Sequence, residues 1–331
     1  MEPLETAKGR VFSERRNLYT ISRNPGKRVY GERLVNHNGT EYREWNPTRS
    51  KLSAYLMCGG RSFPFETDSK VLYLGAASGT TSSHVSDICS DGKVYCVEFA
   101  PRTFRDLVKT AEGRDNMIPI LGDATKPDEY SFLVENVDVV YADVAQKRQA
   151  DILIDNMERY CARYGMVSIK ARSEDVTAEP QAVFDASVRR IKERGCRVLE
   201  VVNLEPYEKA HAMVVVEKQR TAYCVAMKDG KFLMVHNKKR KGWEMPGGRI
   251  ESGETVDEAA RRECIEESGY DVRIVSRRNI GYCDVCACEL GEKIADGEMD
   301  SELFSELPEE LSFDTDEYED VVAWARSCLN R

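Results

Sequence analysis

At 331 residues the chain exceeds what one hydrophobic core comfortably organises, which sets two domains as the expectation. Hydrophobic residues make up 41%, no apolar run approaches the ~20 residues of a membrane span, and the charged start Met1 to Arg10 has no apolar signal segment, so neither a membrane protein nor a secreted one is expected but a cytoplasmic one, its 11 scattered cysteines remaining thiols. Residues 1–219 balance 32 Lys+Arg against 32 Asp+Glu, whereas residues 220–331 hold 16 against 25 and with them the whole net charge of −9, which excludes RNA contact over most faces of the C-terminal part.

Residues 10–50 read as short strands and turns, with Asn24-Pro25-Gly26 and Asn38-Gly39 as the turn signals. The first fifty residues hold 10 basic and 6 acidic side chains, enough to meet a phosphate backbone locally. From residue 70 strands and helices alternate. Apolar runs stand at Val71–Leu74, Val94–Val97, Met117–Leu121, Val137–Tyr141, Met166–Ile169, Val198–Val202 and Ala212–Val216. A helical pattern runs through Ile152, Ile154, Met157, Tyr160, Cys161 and Tyr164, closed by Gly165. A second runs through Val183, Phe184, Val188 and Ile191, closed by Gly195. This alternation predicts a doubly wound α/β sheet that ends near Arg220. A fresh strand begins at Thr221 without a linker, and a helix is expected from Glu258 to Ser268, stopped by Gly269. The expected division is 1–55 for a small β-rich segment, 56–219 for the α/β sheet and 220–331 for a further domain.

The first strand runs into Gly75-Ala76-Ala77-Ser78-Gly79-Thr80-Thr81. The spacing is G-x-x-x-G, not the G-x-G-x-x-G of a pyrophosphate turn. Small residues there let backbone approach a ligand, or simply let strand and helix pack closely. The next strand ends at Glu98, whose carboxylate can accept both hydroxyls of a ribose. The third ends in Gly122-Asp123-Ala124 and the fourth in Asp143-Val144-Ala145-Gln146. A lone Asp is better read as a helix cap; four polar strand ends in a row argue for one shared ligand.

These residues resemble archaeal fibrillarin, together with Glu44-Trp45-Asn46-Pro47, Arg49-Ser50-Lys51-Leu52, Ile169-Lys170-Ala171-Arg172-Ser173 and Glu205-Pro206-Tyr207-Glu208-Lys209-Ala210-His211. The resemblance spans residues 10–218. It implies an S-adenosylmethionine-dependent methyltransferase fold with a small N-terminal β domain. Gly75, Gly79, Thr80, Thr81, Glu98, Phe99, Asp123, Ala124, Asp143, Val144, Ala145 and Gln146 would line its donor pocket. It implies ribose 2′-O-methylation of rRNA or tRNA directed by a box C/D guide RNA, with a Nop-family scaffold protein and a kink-turn-binding ribosomal-type protein as partners. Lys51, Asp143, Lys170 and His211 match the reacting set of similar methyltransferases. The sulfonium leaving group needs neither acid nor metal, so the protein must align the 2′-oxygen and stabilise its developing charge. Lys51 as a phosphate contact and His211 as a packed or capping residue remain open, as does whether Asp143 holds the sulfonium or orients Lys170.

Downstream, Gly248, Glu254, Arg262, Glu263, Glu266, Glu267 and Gly269 are spaced so that Glu263, Glu266 and Glu267 share one helix face. A run of charge is ordinarily a solvated face. Here the Gly-rich turn Trp243–Gly248 precedes it, and the whole resembles the Nudix box G-x5-E-x7-R-E-U-x-E-E-x-G-U, with Cys264 and Tyr270 departing from the usual aliphatics. That resemblance implies an α/β/α sandwich and a Glu254–Arg262 pair. It also implies Mg²⁺ or Mn²⁺ on Glu263, Glu266 and Glu267, and hydrolysis of a nucleoside diphosphate derivative. Trp243 is read as a base-stacking or a core residue. Cys283, Cys286 and Cys288 are read as strand packing rather than zinc ligands, and Lys238–Lys241 as a solvated loop in preference to a phosphate or RNA contact. The competing readings are a Nudix domain that only binds nucleotide or aids assembly, and a first domain that is a structural subunit of an RNA particle.

Overall fold

The computed structural model describes residues 1–251, 253–280, 283–313 and 315–329. The chain forms two compact units, Met1–Lys218 and Gln219–Arg331.

The first unit opens with five antiparallel strands, β1 (Glu2–Pro3), β2 (Phe12–Glu14), β3 (Asn17–Ile21), β4 (Leu34–His37) and β5 (Thr40–Trp45), in the order β1-β2-β3-β5-β4. Asn38 and Gly39, both left-handed at φ 53° and 82°, close the β4–β5 hairpin as the sequence predicts. Helix α1 (Lys51–Met57) follows, its first turn capped by the Ser50 hydroxyl. The division expected at residue 55 falls inside α1. Leu52, Tyr55 and Leu56 of α1 share one apolar cluster with Leu18 and Trp45 behind them and with Val71 and Tyr73 ahead, so the small sheet has no core of its own.

The strands β6 (Lys70–Leu74), β7 (Lys93–Glu98), β8 (Met117–Leu121), β9 (Val139–Ala142), β10 (Tyr164–Lys170), β11 (Cys196–Asn203) and β12 (His211–Lys218) form a sheet ordered β11-β12-β10-β9-β6-β7-β8. Helices α2 (Thr80–Ile88), α3 (Pro101–Ala111), α4 (Gln149–Arg159), the short α5 (Ala171–Glu174) and α6 (Pro180–Glu193) cross between them. Strands β8, β7, β6, β9 and β10 are mutually parallel, and β12 runs antiparallel between β10 and β11. Both faces are buried: Leu72 and Leu74 enter one apolar cluster, Val71 and Tyr73 the other. The chain leaves β6 toward β7 and returns to its other side at β9, and this reversal opens a crevice at the carboxyl ends of the two strands.

One expected helix end is corrected. Gly165 does not close α4; the helix stops at Arg159, the chain turns at Cys161 (φ 56°), and Tyr164 and Gly165 begin β10. A Cβ on Gly165 would stand 2.4 Å from Met157 Sδ, so glycine is required there by strand–helix packing. Gly195 does follow α6 in the left-handed conformation, φ 78°. A buried set of paired charges fixes α2 to the first sheet: Asp87 accepts from Arg43 and from Arg114 at 2.6 Å each, and Arg43 also meets Glu32 at 2.7 Å. Each charge is compensated, which such burial demands.

The second unit comprises β13 (Thr221–Lys228), β14 (Lys231–Asn237), β15 (Gly242–Glu244), β16 (Gly247–Arg249), α7 (Val256–Ser268), β17 (Tyr270–Asn279), β18 (Asp284–Lys293), β19 (Asp300–Phe304) and α8 (Thr315–Leu329). Its sheet runs β15-β14-β13-β18-β17, with β16 added on β13 and β19 on β14. Ala259, Ala260 and Cys264 of α7 pack on one face, and Tyr318, Val321, Val322 and Ala325 of α8 on the other, making the α/β/α sandwich. Cys286 and Cys288 point to the α7 face and Cys283 to the α8 face, the alternation of strand packing; Gly281 and Tyr282 of that expected strand lie outside the described residues. Helix α7 starts two residues before the expected Glu258, at a capping box of Thr255 and Glu258, and Gly269 closes it at φ 80°.

Candidate functional site

The carboxyl ends of β6 to β10 gather most of the residues singled out in the first unit. Leaving β6, Gly75 turns at φ 77°; a Cβ there would stand 2.8 Å from the Asp143 carbonyl oxygen, so glycine lets the β9 end approach. Gly79 starts α2 at φ 95° against Thr110. Thr80 is half-buried. Thr81 is buried and donates to Ser50 Oγ at 3.0 Å, joining α2 to the cap of the helix that carries Lys51.

Glu98 organises its surroundings. Its Oε2 accepts from the Ala77 amide at 2.8 Å, and its Oε1 accepts from the Ala100 amide at 2.9 Å and the Thr103 hydroxyl at 2.8 Å. A carboxylate offers about four acceptor positions, so the protein itself uses most of them. Beside it Phe99 is 66% exposed, an aromatic face available for stacking. Asp123 accepts from the Thr125 amide and hydroxyl at 3.0 and 2.8 Å and from Gln146 at 3.4 Å. Burial opposes its ionisation, but those donors prevail and hold the carboxyl below its ordinary range. Ala124 and Val144 are buried, and Ala145 is exposed at the rim.

Asp143, just beyond β9, lies between two ammonium groups. Lys51 Nζ stands 3.1 Å from its carboxylate. Lys170 Nζ stands 2.8 Å from the same group and donates to the Asp143 carbonyl at 2.9 Å. All three side chains are about one-sixth exposed, at 15–17%. His211 pairs in register with Lys170 across β12 and β10, but its Nδ1 donates to the Lys209 carbonyl at 2.7 Å, the bond of a local loop. Sequence reasoning missed Gln149. It is fully buried, its Oε1 accepts from the Lys170 amide at 2.8 Å, and it fixes the backbone under that ammonium. The available signal was an amide at the start of the buried face of α4, two turns before the buried amide of Asn156.

In the second unit, Arg262 is the hub. It grips Glu254 through two bonds of 2.8 and 3.0 Å, donates to the Arg249 carbonyl at 2.9 Å, and places Nη1 2.8 Å from Glu263 and 3.1 Å from Glu266. Bidentate contact with Arg262 holds Glu254 below its usual carboxylate range. Glu266 is half exposed. Glu267 is buried and accepts from the Gly247 amide at 3.0 Å. Burial, with Glu263 and Glu244 nearby, outweighs the Gly247 amide and the Arg240 charge and pushes its carboxyl up to about 7. A Cβ on Gly248 would fall 2.3 Å from the Glu263 carboxyl carbon, so glycine makes room for that side chain. Among the described residues no three His, Cys, Asp or Glu side chains converge as a ready-made metal site; the Arg262 guanidinium is the cation between Glu263 and Glu266.

The Gly247–Gly248 turn also borders a cavity of about 400 Å³ with Tyr223, Arg240, Phe313 and Glu317 in its wall. Arg240 lies over the Phe313 ring at 4.8 Å and donates to Glu244 at 2.9 Å, two contacts the sequence did not reveal. Of the basic run it belongs to, Lys238 meets Asp300 at 3.2 Å. Trp243 packs edge-on against Phe304 at 4.8 Å beside the α8-side core, which favours its core reading.

The fibrillarin family model matches residues 7–220, and the NUDIX domain model matches residues 217–322. The fibrillarin-like rRNA/tRNA 2′-O-methyltransferase of Methanopyrus kandleri is 54% identical over 224 residues, which cover 66% of this chain and 97% of that protein. Aeropyrum pernix fibrillarin, solved in complex with natively bound S-adenosyl-L-methionine, is 47% identical at a TM-score of 0.56, covering 60% of this chain and 88% of that one. A solved fibrillarin/Nop5p complex matches at 38% identity and a TM-score of 0.59, covering 63% of this chain and 97% of that one. The chain thus belongs to the fibrillarin family of RNA 2′-O-methyltransferases, and a NUDIX domain follows the methyltransferase in the same polypeptide.

Proposed function

We propose that residues 1–218 transfer a methyl group from S-adenosylmethionine to a ribose 2′-oxygen of rRNA or tRNA chosen by a box C/D guide RNA, in a particle with a Nop-family scaffold and a kink-turn-binding ribosomal-type protein. The carrying observation is the Lys51–Asp143–Lys170 chain at the crevice. The donor and scaffold assignments draw on the ligand of the Aeropyrum protein and the partner of the Nop5p complex. S-adenosylmethionine supplies a methyl group on a sulfonium, ready to leave. Gly75 and Gly79 admit the donor, Phe99 stacks on its base, and Glu98 keeps the turn in shape while offering its remaining acceptor position to the ribose. Lys170, held at both its backbone and its ammonium, presents positive charge where the 2′-oxygen gains negative charge. Methyl transfer by the full chain, with and without guide RNA and scaffold, is the test; equal transfer by the lone chain overturns guide direction.

The second unit, in this reading, hydrolyses a nucleoside diphosphate derivative. The hard oxygens of Glu263, Glu266 and Glu267 suit Mg²⁺ or Mn²⁺, and Gly248 gives Glu263 the space to take part. The metal supplies charge neutralisation at the diphosphate and activation of water. Arg262, fixed by Glu254 and the Arg249 carbonyl, holds the helix face in place, and the neighbouring cavity takes the nucleoside. The hold of Arg262 on Glu263 and Glu266 favours a second reading, a nucleotide-binding module without turnover. A panel of nucleoside diphosphate compounds with Mg²⁺, scored for both binding and cleavage by the full chain, separates the two: binding without cleavage selects the second.

A further inference from the structure

The cavity on the α8 side of the NUDIX sheet carries chemistry that the glutamate face of α7 does not use. One wall is the Gly247–Gly248 strand, which also meets that face: the Gly247 amide donates to Glu267 at 3.0 Å, and Gly248 leaves room for the Glu263 carboxyl. In the hydrolase reading, a diphosphate at those glutamates has its nucleoside in this cavity, whose volume of about 400 Å³ is that of a small-molecule pocket. Phe313 is 48% exposed, and the Arg240 guanidinium, also about half exposed, lies 4.8 Å from its ring centroid. Both groups are flat, and each leaves surface on which a base can stack.

Among the described residues the wall holds two acids, and they differ. Glu244 is buried and serves the protein, accepting from Asn237 at 2.8 Å and from Arg240 at 2.9 Å. Glu317, in the first turn of α8, is half-buried and accepts the Tyr223 hydroxyl at 3.2 Å, a bond that ties its carboxylate to β13. An ionised carboxylate only accepts, and its acceptor positions suffice for a tyrosine and two adjacent donors of a ligand. Guanine alone among the common bases sets two donors side by side on its pairing edge, N1–H and the N2 amino group. Adenine and cytosine set one donor beside a bare ring nitrogen, and uracil sets one between two carbonyls. Against a carboxylate those acceptors meet another acceptor, and a buried mismatch of that kind is rejected more strongly than a missing contact. We propose that this cavity selects guanine, with Glu317 accepting from N1–H and from the N2 amino group of a guanosine diphosphate derivative while Phe313 and Arg240 carry the ring. The inference rests on the hydrolase reading for the place of the diphosphate, and it adds the identity of the base.

The test is equilibrium binding of GDP, ADP, CDP and UDP to the full chain, with S-adenosylmethionine at saturation so that the first unit does not take up the adenosine compound. GDP is expected to bind about 10- to 100-fold more tightly than each of the others. Glu317→Gln exchanges a pure acceptor for an acceptor beside a donor, the complement of adenine. GDP affinity should then fall about 10-fold or more and ADP affinity should rise. Phe313→Ala should weaken all four alike, by about 10-fold, as loss of a stacking surface does. A wild-type chain without preference for GDP overturns the proposal and needs no variant. A Glu317→Gln chain that loses affinity for all four equally overturns it too, since a merely structural Glu317 gives that result. Cleavage with Mg²⁺ is scored separately on guanosine and adenosine diphosphate sugars. Preferential binding of GDP without cleavage of either sugar removes turnover and leaves the base assignment standing. Cleavage of both at equal kcat/KM keeps the hydrolase and removes the assignment of Glu317.

Discussion

In the methyltransferase unit one carboxylate, Asp143, lies between two ammonium groups; in the NUDIX unit three carboxylates share a helix face with one guanidinium, that of Arg262. The first arrangement has one more positive than negative group, and its lysines are held at fixed points before any substrate arrives. That suits a reaction whose only demand is a preorganised field at one oxygen. The second has excess negative charge, and one of its members, Glu267, is driven toward neutrality by burial. That suits a site completed by an added cation. Under the functions proposed above, similar charged groups would serve opposite ends: ammonium groups that act directly, and carboxylates that await a partner.

The comparison breaks first at Lys170. Lys170→Met removes the ammonium and should lower kcat for methyl transfer by about 10³-fold or more, while calorimetric S-adenosylmethionine affinity changes little. A loss shared equally by donor affinity would make Lys170 a donor-site residue instead. Next is Glu267→Gln, which should reduce Mg²⁺-dependent hydrolysis by about 10²-fold and blunt the rise of Tm with Mg²⁺. The metal-free fold should respond with the opposite sign. Because the folded carboxyl is raised to about 7 from 4.5, its contribution to stability is whole below about pH 4.5 and is lost as pH climbs through about 7. At pH 8 the glutamine variant escapes that cost and should be more stable by up to about 3 kcal/mol in chemical denaturation. A metal-free variant no more stable than wild type at pH 8 would show that Glu267 carries no such cost.

A smaller effect is expected from Gly248→Ala. The new methyl group meets the end of a flexible side chain, Glu263, and not backbone, so the fold should persist with a change within about 1 kcal/mol while hydrolysis falls about 10-fold. Unchanged hydrolysis would remove Glu263 from the site.

How much of this was readable in the chain follows from what each feature depends on. Strand ends were legible because a buried parallel strand is an uninterrupted apolar run and the first polar residue that closes it stands at the crevice, as at Glu98 and Asp143. The glutamate face of α7 was legible because helical spacing alone puts Glu263, Glu266 and Glu267 together. Contacts that close over distance were not. Gln149 under Lys170 lies 21 residues away in sequence, and Thr81 reaches Ser50 across 31. Gly165 was misread because Cys161 and Tyr164 continue a helical period into a strand buried enough to be apolar itself. Spacing sets Arg262 one turn before Glu266, but it does not reveal that the same guanidinium also meets Glu263.

The mildest change tests an expectation read from the sequence, the ribose-binding role of Glu98. Three protein donors already claim its two oxygens: the Ala77 and Ala100 amides and the Thr103 hydroxyl. Its removal by Glu98→Ala would therefore free the turn after β6 and the start of α3 as well as the ribose, and a lost affinity could not be divided between them. Glu98→Gln is sharper. The amide oxygen can still accept from one side, but its NH₂ group faces donors on the other, where it cannot accept. If the carboxylate serves donor binding directly, S-adenosylmethionine affinity should drop about 10-fold, the worth of a charge-assisted bond, with a Tm loss no larger than that of Thr103→Val, which removes one of the same bonds without touching the acceptor. If the two variants lose donor affinity equally, Glu98 acts by shaping the turn, and the ribose is held by other groups. Lys170 is expected to be indifferent to either outcome: kcat at saturating donor should stay near wild type, because its ammonium is held by Asp143 and its backbone by β10 and Gln149, none of which is a partner of Glu98.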